Sequence, residues 1–184
     1  MGSSDLTLLE ILDKYKFPSD KHTSHSYIPH LYEDLFKDRR ESCKRLLEIG
    51  VQRGGSLRLW EKYFPNADIY GIDNGKSKHF KPVDEGRIKT IVTDAYKLDL
   101  GLPKFDVIID DGPHDLSSQA MSLSLYLKRL KEYGIMIIED VRDLNDFEVL
   151  RRIATALCPM SIVDLYDGRE KSKNNADKAC VVLT

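Results

Sequence analysis

Two short segments place pairs of carboxylates directly after runs of apolar residues. The first pair is Asp110-Asp111, with His114 three residues later, and the second pair is Glu139-Asp140. If a buried strand ends at each pair, a parallel sheet brings both pairs to one edge. Carboxylate oxygens are hard ligands for divalent cations, and a nearby histidine is a candidate general base. The two segments therefore predict a cation site and a base within one crevice.

Each of these groups also has an ordinary structural interpretation. A carboxylate at a strand end often caps the following helix or pairs with an arginine such as Arg142, and a histidine after a Gly-Pro turn is often solvated. The two carboxylate pairs together with His114 favour the metal site. A second metal site at His22, His25 and His30 is disfavoured, because neither cysteines nor an acidic cluster accompany them.

A glycine-rich turn follows an earlier apolar run, in the sequence L-L-E-I-G-V-Q-R-G-G-S over residues 46–56. Glycines allow a sharp turn and close approach of a ligand, and the helix start beyond them offers unpaired N–H groups. The spacing differs from the dinucleotide pattern G-x-G-x-x-G. A carboxylate before the first glycine suits the cationic end of an amino acid better than a pyrophosphate. This turn supplies five candidate ligand-binding residues: Glu48, Gly50, Gly54, Gly55 and Ser56.

Further acids follow the next strand-like runs. Asp73 ends the second run, where it can accept hydrogen bonds from a ribose diol, and Asp94, with Ala95 beside it, follows the third, where it can accept from an adenine amino group. Asp110 is expected to line the cofactor side or to bond the loop backbone. S-adenosylmethionine meets all of these requirements. The alternative is that the glycine turn merely closes a strand–helix unit.

Composition limits the classes of protein to consider. The 184 residues, with 41% hydrophobic content, are enough for one domain with a full core. A net charge of −2, from 28 Lys and Arg against 30 Asp and Glu, disfavours a nucleic-acid partner. No stretch reaches the roughly 20 apolar residues that span a bilayer, and three scattered cysteines suggest reduced thiols. These features predict a cytoplasmic protein with no membrane partner.

Strand-like runs alternate with helix-period segments, which is typical of a doubly wound α/β domain with helices on both faces of the sheet. Crossover helices are predicted at residues 57–64, with Ser56 as N-cap, and at 116–133 and 143–157. The last two strands are predicted to form an antiparallel pair joined through the polar stretch 169–178. Residues 1–40 are predicted to form helices that cap the site, and 41–184 the main part of the same domain. The seven predicted strands cover residues 45–49, 69–72, 88–92, 105–110, 135–139, 161–166 and 179–183.

The chain resembles class I S-adenosylmethionine-dependent methyltransferases, and within them the Mg²⁺-dependent sugar O-methyltransferases of the macrocin and mycinamicin type. The resemblance extends over residues 20–140. The family pattern D-G-S-H reads D-G-P-H here, with Pro113 in place of the serine. The segments that carry the resemblance are Asp20-Lys21, His25-Ser26-Tyr27, Tyr32-Glu33, Leu47-Glu48-Ile49-Gly50-Val51, Gly54-Gly55-Ser56-Leu57, Trp60, Phe64-Pro65-Asn66-Ala67, Gly71-Ile72-Asp73, Asp110 to His114 and Ile138-Glu139-Asp140.

This resemblance implies a Rossmann-like fold, S-adenosylmethionine as cofactor and Mg²⁺ or Mn²⁺ held by Asp111, Glu139 and Asp140. It further implies that His114 removes a proton from a sugar hydroxyl of a glycoside or glycan, with Asp111 the second catalytic residue. Lys21, His25 and Tyr27 are candidate contacts to the acceptor. Two alternatives stay open, a methyltransferase for a catechol-like acceptor and a non-methylating protein that binds metal or nucleoside. The sequence predicts no particular oligomeric state.

Overall fold

The computed structural model describes residues 6–97, 100–172 and 178–184. Its centre is a seven-stranded sheet of order β3-β2-β1-β4-β5-β7-β6. Strands β1 to β5 pair in parallel, whereas β7 runs antiparallel to both of its neighbours. The predicted fold class is confirmed. The strands are β1 (Arg45–Ile49), β2 (Asp68–Asp73), β3 (Ile88–Val92), β4 (Phe105–Asp110), β5 (Leu130–Ile138), β6 (Ile162–Asp167) and β7 (Lys178–Leu183).

Side-chain caps define where several helices begin. Thr7 and Glu10 form a capping box at the first helix, Asp115 caps the fourth and Asp143 caps the fifth, in each case by accepting from backbone N–H groups of the first turn. A π-helical turn, Ile28–Tyr32, leads into the second helix, and a 3₁₀ turn, Lys37–Arg39, follows it. The helices are α1 (Leu8–Tyr15), α2 (Glu33–Phe36), α3 (Gly55–Tyr63), α4 (Leu116–Tyr126), α5 (Leu144–Leu157) and α6 (Arg169–Ser172).

Alternation along the strands gives the sheet two apolar faces. Leu46 and Ile137 belong to the cluster that contains α1, α3 and the segment from Tyr27 to Phe36. Their neighbours Leu47 and Ile138 belong to the cluster on the other face, with α4 and α5. Side chains of successive strand residues point to opposite faces, so each strand of this buried sheet supplies both cores. Helices therefore cover both faces, as the sequence predicts.

The strand order reverses beside β1. From there the chain continues outward through β2 and β3 on one side, and through β4 and β5 on the other. At such a switch point the connections leave in opposite directions, so a crevice opens beyond the carboxyl ends of the strands. The acids predicted to bind ligands all lie in the last two residues of these five strands or shortly after them.

Two predicted boundaries are wrong. The helix predicted over residues 116–133 ends at Tyr126, and Leu130 is already the first residue of β5, where it pairs with Phe105 of β4. Pairing with the sheet overrides the local helical periodicity. Ser56 is not an N-cap, because Gly54 takes that position with a left-handed φ of 71° and α3 begins at Gly55.

In the connection between β6 and β7, residues 169–172 form the short helix α6, and residues 173–177 lie outside the described residues. Among the helices of the described chain, none is both long enough and apolar enough to cross a bilayer.

Helix α4 offers a direct test of the packing on the second face of the sheet. Leu123 is fully buried there, whereas Met121 on the same helix is 43% exposed. Leu123→Ala is expected to lower the free energy of unfolding by about 3 kcal/mol, because it removes buried methyl groups and leaves a cavity. Met121→Ala is expected to change it by less than about 0.5 kcal/mol. Urea denaturation of both variants measures the difference, and equal losses would contradict this packing.

Candidate active site

A crevice of about 350 Å³ lies at the carboxyl edge of the parallel strands. Its walls come from the turns after β1 to β4, from Asp140 after β5, and from an N-terminal segment that includes residues 18–21 and His25. Most of the residues predicted to bind cofactor or metal line it, and so does the predicted base His114. These residues are Gly50, Gly55, Ser56, Asp73, Asp94, Ala95, Asp111, His114 and Asp140.

The turn after β1 requires glycine at two of its positions. Gly50 has a φ of 93°, and a Cβ atom there would lie 2.0 Å from the carbonyl oxygen of Asp111. A Cβ at Gly55 would lie 1.8 Å from the carbonyl oxygen of Pro18. Backbone therefore approaches backbone at both ends of the turn, and a side chain would separate them. The two glycines therefore let the turn after β1 pack directly against the backbone of Asp111 and of Pro18.

Asp73 and Asp94 both line the crevice and already accept backbone hydrogen bonds. Asp73 Oδ2 accepts from the amides of Val51 and Gln52 at 3.0 and 3.2 Å, and its Oδ1 accepts from Gly75 at 2.8 Å. Asp94 Oδ1 accepts from the amide of Tyr96 at 3.0 Å. A carboxylate has about four acceptor positions, so both acids retain capacity for a ribose or an amino group.

Asp111, His114 and Asp140 meet at the mouth of the crevice. His114 Nε2 lies 3.8 Å from Asp111 Oδ1 and 3.7 Å from Asp140 Oδ2. Among the described residues, this is the group whose ligand atoms lie within 4.8 Å of one another, close enough to share one ion. The two carboxylates fit Mg²⁺ or Mn²⁺ in donor type, and the imidazole beside them stays the candidate base.

His114 and Asp140 both adopt left-handed backbone conformations, with φ of 62° and 55°. Such conformations are uncommon outside glycine, although His and Asp enter them more readily than most residues do. Consecutive strand residues face opposite sides, so Glu139 and Asp140 can approach one ion only if the chain leaves the strand. It does so here, because β5 ends at Ile138 and the chain then turns through Asp140.

Lys21 is the centre of a buried ionic cluster behind the mouth of the crevice. The side chain is 2% exposed, and its Nζ donates to Asp111 Oδ2 at 2.6 Å and to the two oxygens of Glu139 at 2.6 and 2.8 Å. The Tyr32 hydroxyl also donates to Glu139. Burial by itself would lower the pKa of Lys21, but Asp111, Glu139 and Glu48 raise it well above its ordinary value. Lys21 is therefore protonated in this cluster at neutral pH.

Glu48 is fully buried, and its carboxylate accepts from Ser56 Oγ at 2.7 Å and from the Trp60 indole at 3.2 Å. Its other oxygen lies 3.5 Å from Lys21 Nζ. Burial raises the pKa of Glu48 to about 7. Glu48 thus supports the start of α3 from behind, and its predicted contact with the cationic end of a cofactor stays a prediction.

Asp110 is also buried, and its Oδ1 accepts from the Tyr96 hydroxyl at 2.6 Å. Burial raises the pKa of Asp110 to about 6. Tyr96 lines the crevice, and a Cβ on Gly112 would lie 1.8 Å from its hydroxyl oxygen. Asp110 therefore positions an aromatic wall of the crevice. Sequence reasoning overlooked Tyr96, although it follows Asp94 by two residues at the same sheet edge.

Two residues predicted to contact the methyl acceptor, Tyr27 and His25, lie beside Asp140. Tyr27 donates from its hydroxyl to Asp140 Oδ1 at 2.8 Å, and His25 Nδ1 lies 3.4 Å from the same oxygen. The His25 and Tyr27 rings are stacked, with centroids 5.1 Å apart. His25 lines the crevice, whereas Tyr27 is fully buried behind it. Tyr27 thus holds Asp140 and His25 in place.

The predicted metal set is brought together in part. Asp111 and Asp140 face one another across His114, whereas Glu139 is bonded to Lys21 and Tyr32 and is outside the group of described residues that can share an ion. No contact was predicted for Tyr32, although its hydroxyl is a donor that a buried carboxylate can accept from. The assignments of Glu139 to metal, His114 to base and Lys21 to acceptor stay predictions.

Comparisons with known proteins agree with this architecture. The chain is 36% identical over 153 residues to mycinamicin VI 2''-O-methyltransferase of Micromonospora griseorubida, covering 76% of this chain and 37% of that protein. It is 32% identical over 130 residues to demethylmacrocin O-methyltransferase of Streptomyces fradiae, covering 64% of this chain and 32% of that protein. The chain thus spans about a third of the length of these curated relatives. No family model matches it.

A solved structure extends the likeness to nearly the whole chain. The methyltransferase MycE of the mycinamycin biosynthetic pathway, in complex with Mg, SAH and mycinamycin VI, superposes with a TM-score of 0.76 at 28% identity, over 98% of this chain and 55% of MycE. Fold and strand-end acids together match the class of S-adenosylmethionine-dependent methyltransferases. Within that class the chain resembles the sugar O-methyltransferases of the mycinamicin and macrocin type, and the resemblance predicted from the sequence is confirmed.

The raised pKa of Glu48 makes a testable contribution to stability. Because its pKa is about 7 in the folded chain and 4.5 ordinarily, the folded state binds this proton more tightly. The resulting stabilisation is complete below pH 4.5 and is lost as the pH rises through about 7. Relative to wild type, Glu48→Gln is therefore expected to gain free energy of unfolding as the pH rises from about 5 to 7. Urea denaturation across this range measures the difference, and a constant difference would contradict the assignment.

Proposed function

We propose that this chain catalyses methyl transfer from S-adenosylmethionine to a sugar hydroxyl, assisted by a divalent metal and by His114 as general base. The observation that carries the proposal is the convergence of Asp111, His114 and Asp140 at the mouth of the crevice. An acid–base group and hard oxygen ligands lie together at the switch point of the sheet, where ligands bind in this type of fold. The likeness to sugar O-methyltransferases supports the same reaction.

The cofactor is proposed to lie along the turns after β1, β2 and β3. Gly50 and Gly55 line the crevice, and Gly54 lies between them as the N-cap of the first crossover helix. Asp73 would accept from the ribose hydroxyls, and Asp94 with Ala95 would hold the adenine. The bound SAH in MycE supports a nucleoside cofactor for this fold.

The residues present fit a divalent metal at the mouth of the crevice. Asp111 and Asp140 would hold it, and Glu139 is proposed as the third ligand. When bound, the metal would act as a Lewis acid on the acceptor oxygen, lowering the pKa of that hydroxyl. MycE, which carries Mg in its complex, supports this choice.

His114 is proposed to take the hydroxyl proton. Its side chain is 37% exposed at the mouth, so an acceptor can reach it, and the carboxylates of Asp111 and Asp140 stabilise the imidazolium that forms. Displacement at the methyl carbon needs no covalent intermediate, so most of the acceleration comes from alignment of the hydroxyl with the sulfonium. Such alignment is worth roughly 7–11 kcal/mol in well-oriented reactions.

The acceptor is proposed to be a sugar carried by a small glycoside or a glycan. A further relative, 34% identical over 138 residues, is the 8-demethyl-8-alpha-L-rhamnosyl tetracenomycin-C 2'-O-methyltransferase of Streptomyces olivaceus, which supports a sugar-bearing acceptor. Adjacent sugar hydroxyls can chelate a metal, which would fix one oxygen beside His114. His25, above Asp140, is proposed to contact this acceptor.

Methyl transfer from labelled S-adenosylmethionine to a panel of glycosides and catechols tests the proposal. Activity is expected with glycosides, to require Mg²⁺ or Mn²⁺ and to be lost with a chelator. Asp111→Ala and His114→Ala are expected to lower turnover at least about 100-fold while keeping affinity for S-adenosylhomocysteine, because both act on the hydroxyl. His30→Ala, at an exposed histidine, and Asp106→Asn, at the opposite end of β4, are the controls.

Two outcomes would overturn different parts of the proposal. Methylation of catechols alone would replace the acceptor class and keep the fold and cofactor. Calorimetry that detects binding of neither S-adenosylmethionine nor S-adenosylhomocysteine would overturn methyl transfer altogether.

A further inference from the structure

A buried ammonium group lies inside the proposed metal site. Lys21 Nζ is 2.6 Å from Asp111 Oδ2 and 2.6 Å from Glu139 Oε1, so it lies between two of the three carboxylates assigned to the metal. The Lys21 side chain is 2% exposed and that of Glu139 is 3% exposed. The Lys21 ammonium and the Glu139 carboxyl are therefore both shielded from solvent.

We propose that the Lys21 ammonium and a divalent cation are alternative counter-ions for Asp111 and Glu139. Lys21 holds the two carboxylates together in the metal-free chain and withdraws from them when the metal binds. This inference rests on the metal site of the proposed function.

The charges favour an exchange over joint occupancy. The Lys21 ammonium bonds two of the carboxylates assigned to the metal, those of Asp111 and Glu139, and so lies where a cation shared by these two groups would lie. A divalent cation carries twice the charge of the ammonium. An ammonium and a divalent cation that share Asp111 would repel each other strongly in a region of low dielectric.

Asp111 links the two cation positions. Its Oδ2 faces Lys21, while its Oδ1 faces His114 at 3.8 Å on the crevice side. A metal that enters through the crevice therefore meets Asp111, His114 and Asp140 first. Glu139 can join them once Lys21 releases it, because Lys21 bonds both of its oxygens.

Lys21 lines the crevice, on a segment of turns that runs past Asp20 and His25. In the proposed exchange its ammonium turns from the two carboxylates into the crevice, and the sheet keeps its conformation. Lys21 would act as a positioning residue, because it acts through the carboxylates and sets how tightly they bind a metal.

Calorimetric titration with Mn²⁺ tests the inference without relying on turnover. Lys21→Met is expected to bind Mn²⁺ at least tenfold more tightly than wild type, because the metal no longer competes with an ammonium. Lys131→Met is the matched control, since Lys131 pairs with Asp106 at 2.8 Å at the amino end of β4, and its Mn²⁺ affinity is expected to equal that of wild type.

The outcomes separate this inference from the proposed function. A purely structural lysine would leave the affinity unchanged or lower it when removed, and either result in Lys21→Met overturns the exchange while keeping the metal site. Absence of Mn²⁺ binding in both wild type and Lys21→Met overturns the metal site itself.

Amine labelling of the wild-type chain gives a second measurement that needs no variant. With acetic anhydride and mass spectrometry, Lys21 is expected to be protected without metal and to become reactive at saturating Mn²⁺. Lys178, buried to the same 2%, is expected to stay protected in both conditions. Protection of Lys21 in the presence of bound Mn²⁺ would contradict the exchange.

Discussion

Compensation of buried negative charge is the constraint on which the rest of this site depends. Glu48, Asp110 and Glu139 are all buried at the ends of strands, where an unpaired carboxylate would be costly. Each has partners, and three of these partners, Lys21, Ser56 and Tyr96, line the crevice. The partners are Lys21 and Tyr32 at Glu139, Ser56 and Trp60 at Glu48, and Tyr96 at Asp110.

This compensation makes the N-terminal segment a part of the site. Lys21, Tyr27 and Tyr32 all reach acids that follow β4 or β5, and the apolar residues around them join the core on one face of the sheet. Breaking such a pair by removing one partner typically costs about 3–5 kcal/mol. The N-terminal cap over the site stays a prediction, and the observed contacts are those of a segment packed against the sheet.

Much of the architecture could be predicted from local pattern. Apolar runs ending in acids located the strands, because a strand buried on both faces needs continuous hydrophobicity and its end is where polar side chains can begin. Prediction was wrong where local and tertiary preferences compete. Leu130 fits a helical stripe, yet it enters β5 because Phe105 of β4 offers a strand partner. Ser56 resembles a cap, yet its hydroxyl serves the buried Glu48.

The sequence by itself determined the order of the elements, the glycine turn and the edge at which the acids gather, since these follow from residue type and spacing along the chain. Tertiary structure alone decided which acids share a cation position. Asp140 turns towards His114 through a left-handed backbone, while its neighbour Glu139 turns inward to Lys21, a residue far from it in sequence. Glu139 and Asp140 are adjacent acids with the same local sequence pattern. They differ in the side chain that folding places beside each, which is Lys21 at Glu139 and His114 at Asp140.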